Sequence, residues 1–523
     1  MKKWTAWILS LILTVGILSG CGKDPGTSGP SEEWKSLPER EGVLKMASLS
    51  PYKSSKEGAS LVFDYLTRLD SSYEAEPNLV TEWKASDDFM EYELTIRKDV
   101  NFHDGTPLTA EIVKWNIEKG GEINYCSYSY VLDGVEVIDP EHLRVKLSAP
   151  YLYLEKDLGL IPCIPVGGYS EEGKFNTHVG TGAFRLESTD AGEVSTLLRN
   201  ENYWRRDFET DVQKIEWYAI PDEQTRKLAL ESGKVNILGL TEHFISLPYT
   251  VINEFRMKGR YEIIKEEDED YTSVGSVNTN WKRGVMSNLE LRRFLASAID
   301  REDLVKNIFF SIPRACGHVY NPKFEDGPQK EKPFVSSEEE ARKHLEAAGY
   351  RIGNSSSPTK DAKGVPLKMK LICGSEEHEK DLALYLKDVL SRWGIELDVQ
   401  SLQGAARYEV MSSGDYDLEI SHPWFVPLIG SLGFIGLGSD YSDYGLGFSV
   451  NDEMKAAAEG YLQAADKETA KKYSDEIWRT QYEQVVTIPL FGDIRYLVHD
   501  EVFEGFHFDG NVFCIDLNGV KYK

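Results

Sequence analysis

Apolar and polar residues change their period repeatedly along the chain, and each change predicts a different element. Tyr92-Glu93-Leu94-Thr95-Ile96 alternates with period two, as a strand with one covered face does. Asp104-Gly105-Thr106-Pro107 then predicts a turn, and Thr109 stands where it can cap a helix running through Trp115. Glu136 to Leu147 predicts a hairpin turning at Asp139-Pro140. Gln224 to Ser232 predicts a helix closed by Gly233, followed by a strand from Val235 to Leu238.

The second half is patterned more strongly. Leu291, Phe294, Leu295, Ala298 and Ile299 fall at i, i+3, i+4, i+7 and i+8, one face of a helix. Glu338 to Ala348 predicts a helix ended by Gly349. Leu367 to Ile372 predicts a strand, and Leu382, Leu386, Val389, Leu390 and Trp393 a helical stripe stopped by Gly394. Ile395 to Val399 is again a strand. Strand, helix, strand in this order predicts an α/β domain with a mostly parallel sheet. No repeat of fixed period is visible.

The N-terminus is patterned otherwise. Lys2 and Lys3 precede a nearly uncharged run from Trp4 to Leu18, too short for the roughly 20 residues a membrane span needs. Leu18-Ser19-Gly20-Cys21 then matches a bacterial lipobox, in which the Cys21 thiol is diacylated and becomes the new N-terminus. Two or more acyl chains anchor a protein stably. The reading is a lipoprotein signal peptide at 1–20 and a flexible tether at 21–39, rich in Gly, Pro and Ser. The body is expected at the cell membrane, lipid-anchored, facing the extracellular or periplasmic side.

Composition narrows the function. The 523 residues suggest three or four domain-sized units. A formal net charge of −27 repels phosphate backbones and argues against nucleic acid as a partner. Eleven Trp, 27 Tyr and 21 Phe supply large cores and material for an aromatic-lined pocket. Beyond Cys21 the cysteines are Cys126, Cys163, Cys316, Cys373 and Cys514, an odd set without C-x-x-C. Buried free thiols are the simpler reading; a Cys126–Cys163 pair or a soft-metal site stays open. The zinc-protease, phosphate-loop and serine-hydrolase motifs are absent. Ser50-Pro51-Tyr52-Lys53 and Ser357-Pro358-Thr359-Lys360 fit S-x-x-K but lack its partner motifs, and Gly180-Thr181-Gly182 lacks the third glycine of a dinucleotide loop. No catalysis, cofactor or resident metal is expected.

Several segments, in order, resemble the large bacterial solute-binding proteins of ABC importers, family 5, which covers oligopeptide, dipeptide and nickel-complex receptors. They are Pro77-Asn78-Leu79 with Trp83; Tyr92 to Lys114, including Arg97-Lys98-Asp99-Val100-Asn101-Phe102-His103-Asp104-Gly105; Val179 to Phe184; Arg199-Asn200-Glu201-Asn202-Tyr203-Trp204; Pro221 to Arg226; Asn278-Thr279; Leu291 to Arg301; and Ala341 to Tyr350. The resemblance implies a two-lobed periplasmic-binding-protein-like fold of type II, with lobe I at 40–276 and 490–523, an extra subdomain in it near 80–178, and lobe II at 277–489. It implies hinges at Asn278-Thr279 and Thr487-Ile488-Pro489-Leu490, a monomer, and delivery of a captured solute to permease subunits.

The resemblance also places a cleft at Ser50 to Lys53, Asn124 to Tyr130 and Ser421 to Leu428. Tyr52, Tyr125, Tyr128, Tyr130, His422, Trp424 and Phe425 are the candidate ligand-binding residues. Aromatic faces could sandwich a planar or cationic group; alternation along a strand or loop would instead make half of the tyrosines packing residues. His422 is either a ligand for a carboxylate or metal, or a hydrogen-bonded structural histidine. Peptide-binding members carry an Asp-rich turn where this chain has Val426-Pro427-Leu428-Ile429-Gly430-Ser431-Leu432, and the His and Arg of some nickel-complex members are missing at the matching positions. Glu266-Glu267-Asp268-Glu269-Asp270 reads as a solvated face with room to attract a cation. An oligopeptide is the first expectation for the ligand, a metal chelate or opine-like metallophore the alternative, and a sensory or adhesive lipoprotein without a permease the rival class.

Overall fold

The computed structural model describes residues 42–49, 52, 58–70, 74–124, 126–170, 175–190, 194–239, 247–265, 273–281, 283–322, 327–421, 452–508 and 515–523. The described chain enters by β1 (Val43–Ser48), in which Leu44, Met46, Ala47 and Ser48 are all buried. A four-stranded antiparallel sheet follows: β2 (Val80–Ala85), β3 (Glu91–Ile96), β4 (Leu132–Asp139) and β5 (His142–Leu147), in the order β2-β3-β5-β4. The period of two in β3 buries Tyr92, Leu94 and Ile96 and exposes Glu91 and Glu93. The β4–β5 turn is set by Asp139, whose Oδ1 accepts from the backbone N–H groups of Glu141 and His142.

Between these strands lies α1 (Ala110–Trp115), capped by Thr109 Oγ1, which accepts from Ile112 N at 3.4 Å. Thr109→Ala removes the side-chain acceptor and leaves that N–H only the Thr109 carbonyl at 3.1 Å, and up to about 1 kcal/mol of local stability is expected to go with it. Amide exchange in residues 110–115 should quicken about fivefold, and unchanged exchange there would show that the cap contributes nothing.

The chain then builds β6 (Phe184–Asp190), β7 (Val194–Arg199), β8 (Lys214–Ala219), α2 (Glu223–Glu231), β9 (Ile237–Leu238), α3 (Tyr249–Lys258) and β10 (Glu262–Lys265). Asp222 caps α2 and Gly233, at φ +71°, closes it. The predicted strand Val235–Leu238 is shortened to β9. Asn236 is the reason, because its Oδ1 accepts the N–H of Lys45 while its Nδ2 donates to Asp500.

After Lys265 the chain passes into a second sheet with β11 (Ser273–Thr279). Then come α4 (Leu289–Ala298), α5 (Arg301–Asn307), β12 (Arg314–Ala315), α6 (Glu338–Ala347), β13 (Lys368–Cys373), α7 (Glu377–Arg392), β14 (Glu396–Ser401), α8 (Gly404–Ser413) and β15 (Leu418–Ser421). A helix pair, α9 (Asp452–Leu462) and α10 (Lys467–Gln484), leads to β16 (Thr487–Asp493), and β17 (Tyr496–His499) returns to the first sheet. The first sheet runs β10-β17-β9-β1-β8-β7-β6 and the second β12-β16-β11-β15-β13-β14.

The second sheet departs from the mostly parallel expectation. β13 pairs with β14 and β15 in parallel, but β11 pairs antiparallel with both β15 and β16, and β12 antiparallel with β16. The physical reason is connectivity: the chain enters by β11 and leaves by β16, and these two strands pair with each other. Asn278-Thr279 and Thr487 to Leu490, expected as hinges, lie inside them, with Asn278 opposite Thr487. Between Lys265 at the end of β10 and Ser273 at the start of β11 the chain lies outside the described residues, and Ile494-Arg495 join β16 to β17.

Two of the family-like arginines are buried and hold the return strand. Arg292 donates to Gln484 O and Met286 O, and Arg301 to Pro489 O. They bracket Val485, which sits at φ +48°, an uncommon conformation for a β-branched residue.

Candidate functional site

In open α/β sheets, ligands bind outside the carboxyl ends of parallel strands. In the first sheet β1, β8 and β9 are parallel and end at Ser48, Ala219 and Leu238; in the second, β13, β14 and β15 end at Cys373, Ser401 and Ser421. Helices α2 and α7 begin just beyond β8 and β13. The two sets of ends adjoin: Thr250 Oγ1 of α3 donates to Glu377 Oε1 of α7 at 2.8 Å. Burial, then Glu377 and Glu376, push the Glu223 carboxyl up, with Arg226 opposing. The described border is thus anionic, carrying Asp222, Glu223, Glu376 and Glu377.

Just beneath the ends of β13 and β15 lies a buried charge cluster that the sequence did not disclose. Arg407 of α8 reaches Glu379 Oε1 at 3.5 Å, Glu419 Oε1 at 3.2 Å and the carbonyl of Ile420 at 2.7 Å. Glu419 is 2% exposed, and burial pushes its carboxyl up to about 7 against the pull of Arg407. Burial raises Glu379 as well. Polar alternation in Asp417-Leu418-Glu419-Ile420 reads as a strand with Glu419 facing water; α8 covers that face instead.

Of the expected aromatic residues, Tyr52, Tyr128 and Tyr130 are described. Tyr52 is 4% exposed in the core of the first sheet, edge-on to Trp217 at 5.5 Å, and its hydroxyl donates to Gly58 O. Tyr128 is fully buried in the core of the four-stranded body, donating to Ile117 O at 2.5 Å, with Gly121 leaving room for its ring. Both are packing residues here, because each ring fills a core and each hydroxyl is spent on a backbone carbonyl. Tyr130, two residues on, is 64% exposed. Tyr125, His422, Trp424, Phe425 and Cys21 lie outside the described residues, as does the acidic run 266–270.

Beside Tyr128, Asp157 accepts from Tyr151 OH at 2.6 Å and Tyr128 N at 3.3 Å, and burial pushes its carboxyl up to about 6. The Cys126–Cys163 disulfide is not made: both thiols are buried, Cys126 donating to Asp157 O and Cys163 accepting from Asn116 Nδ2. Cys316 and Cys373 are buried thiols in no disulfide too.

Sequence reasoning also missed Asp64, which explains two of the family-like motifs. Its carboxylate accepts from Thr181 Oγ1 at 2.8 Å, Tyr203 OH at 2.8 Å and Trp204 Nε1 at 2.7 Å. Gly180 and Gly182 bring Thr181 in, for a Cβ on either would stand 1.9 or 2.6 Å from Val62 backbone atoms. Arg97 lies over the Trp204 ring at 4.4 Å. Gly180-Thr181-Gly182 and Tyr203-Trp204 are thus scaffold, gathered round one buried carboxylate.

Among the described residues, no three His, Cys, Asp or Glu side chains group as a metal-ion site, and no helix is long and apolar enough to cross a membrane. Comparison with known proteins agrees with the fold. The family model described as bacterial extracellular solute-binding proteins, family 5, middle, matches residues 74–432. The nickel-binding periplasmic protein of Escherichia coli K12 is 21% identical over 485 residues, spanning 91% of this chain and 88% of that protein. The oligopeptide-binding protein AppA of Bacillus subtilis 168 is 23% identical over 462 residues, 80% of each chain. The crystal structure of NikA from Brucella suis in complex with Fe(III)-EDTA superposes with a TM-score of 0.82 at 20% identity, covering 92% of this chain and all of that one.

Proposed function

The chain belongs to the bacterial extracellular solute-binding proteins of family 5, and from that premise we propose that it is the lipid-anchored, substrate-binding component of an ABC importer. It captures a small solute between two lobes and delivers it to permease subunits unchanged. The observation that carries the reading is the adjoining of two sets of parallel-strand ends, which makes a border able to close on a ligand that touches both sides. Cys21 is the anchor, and Tyr125, Tyr130, His422, Trp424 and Phe425 are the ligand contacts. Tyr52 and Tyr128 support the cleft wall from within.

An oligopeptide is the first ligand, held through its backbone hydrogen bonds; one relative is an oligopeptide-binding protein by name. A metal chelate is the second, favoured by the similarity to a nickel-binding protein over most of the chain. Native mass spectrometry of the purified protein with elemental analysis decides: co-purified peptides support the first, stoichiometric nickel, cobalt or copper the second. Trp424→Ala is expected to weaken binding of the solute so identified by more than about 1 kcal/mol. Unaltered affinity with intact folding would remove Trp424 from the site.

A further inference from the structure

α3 stands in sequence between two strands of the first sheet, β9 and β10, yet its side chains are tied to both bodies. Toward the first sheet it pairs twice with α2, Glu254 with Lys227 and Lys258 with Glu231. Toward the second sheet, Tyr249 OH donates to Asp493 Oδ1 at 2.8 Å, and its ring meets Phe309 and Phe491 at 4.9 and 6.2 Å. Arg256 Nη2, at the surface, donates to Phe310 O at 2.9 Å. β17 of the first sheet adds a buried contact, Tyr496 OH donating to Ile312 O at 2.5 Å.

The contacts of Tyr249, Arg256 and Tyr496 converge on one turn of the second-sheet body, Phe309 to Ile312, between α5 and β12. In that turn Phe310 and Ser311 stand at φ +57° and +56°. Neither is a glycine, and in this left-handed region the Cβ of an L-residue crowds the carbonyl that follows it. Two such residues in succession persist only where the surroundings over-determine them. From within the turn, Ser311 N donates to Val305 O at 2.9 Å and Ile312 N to Phe309 O at 3.0 Å. Phe309 is 1% exposed, its ring between Tyr249 and Phe491. From the other body come the donors to the Phe310 and Ile312 carbonyls. The left-handed pair orients the peptide between its two members, so its relaxation swings the Phe310 carbonyl off Arg256.

We propose that the Phe309–Ile312 turn is a conformational switch coupled to the docking of the two bodies: it keeps its left-handed pair while α3 and β17 sit on it, and relaxes when they lift away. Strain in the turn opposes docking, and the contacts of Tyr249 and Tyr496 outweigh it in the docked state. Thr250, next to Tyr249, carries the bond to Glu377 at the border of strand ends, so docking at the turn also draws that border together. In a solute-binding protein a solute that touches both sides favours the docked state, and the strained turn sets how readily it is released. That last step rests on the proposed function; the switch itself does not.

Ser311 is exposed, so substitutions there act through the backbone. Glycine adopts φ near +56° freely, whereas a β-branched residue resists it. Amide exchange is followed in the intact native chain and in Ser311→Gly, Ser311→Val and Tyr496→Phe. Ser311→Gly is expected to slow exchange across residues 249–258, in the other body, about threefold, and Ser311→Val to quicken it about fivefold. Tyr496→Phe should quicken exchange of the Ser311 and Ile312 amides about tenfold. Exchange in α3 that ignores both Ser311 variants, or that quickens in Ser311→Gly, would overturn the switch, as would unchanged exchange at 311–312 in Tyr496→Phe. The glycine variant eases the backbone and removes no contact, so the outcome does not hang on a weakened fold. The solute identified by mass spectrometry is then titrated against the native chain and Ser311→Gly. Binding about threefold tighter in the variant supports the coupling to capture, and equal affinity overturns it. Exchange effects as expected in a chain that carries no solute contradict the proposed function alone.

Discussion

Asp64→Ala is expected to lower the unfolding free energy of the body around the first sheet by about 4 kcal/mol. The carboxylate is buried and receives three side-chain donors, from Thr181, Tyr203 and Trp204. Truncation strands those donors away from water, and a buried donor left without an acceptor costs about 1–3 kcal/mol. Rotation of the Thr181 hydroxyl offsets a little of this; the Trp204 N–H cannot turn without moving its ring from beneath Arg97. The residues so joined lie 117, 139 and 140 positions from Asp64, so the change also unties distant segments. Asp64→Asn keeps one oxygen and presents N–H groups to donors, and should recover less than half of the loss. Urea unfolding of both variants beside the native chain, followed by tryptophan fluorescence, checks this. A loss under about 1 kcal/mol for Asp64→Ala would mean that the donors find other partners.

The elements with strong periods were legible and the polar interior was not. The stripe Leu291, Phe294, Leu295 lies in α4 with all three residues buried, and the stripe from Leu382 to Leu390 in α7 likewise. Both helices send that side into the same apolar core, so one-sided burial is written directly into their spacing. Gly349 and Gly394 end α6 and α7 with positive φ as their positions suggested. The residues expected as hinges, Asn278-Thr279 and Thr487 to Leu490, lie in the two strands that pair where the chain enters and leaves the second sheet. Asp64 and Glu419 were invisible for a different reason. A lone acid in an apolar run reads as a solvent position, and only the fold supplies the donors or the guanidinium that let it be buried. Gly374, where a Cβ would stand 2.1 Å from Glu379 Oε2, held the one available signal, a glycine at a strand end with no turn to require it. For the tyrosines at 125–130, alternation left open which ones pack; the structure settles Tyr128 as a core residue and leaves Tyr130 exposed.

The buried acids give the stability a pH dependence opposite to the usual one. Asp157 is pushed up by burial from 3.8 to about 6. Between those values the folded chain keeps a proton that the unfolded chain has lost, so the folded state binds more protons and stability falls as pH rises. The contribution is fully present below about pH 4 and is lost as pH climbs through 6. A gap of about two units corresponds to about 3 kcal/mol. Asp157→Asn stays neutral at every pH and can still accept from Tyr151 OH and Tyr128 N. It is expected to be up to about 3 kcal/mol more stable than the native chain at pH 8 and no more stable at pH 4. Taking the variant-minus-native difference at each pH removes carboxylates such as Asp139 and Glu93, whose hydrogen bonds to backbone N–H groups and to Arg144 lower them and give the opposite slope. Glu419→Gln should show the same sign with its window displaced upward, since burial raises that carboxyl to about 7. Asp157 belongs to the four-stranded body and Glu419 to the second sheet, with no shared partners, so the two differences should add in the double variant. A difference curve for Asp157→Asn that stays flat from pH 4 to pH 8 would show that its carboxyl ionises as freely in the folded chain as in the unfolded one.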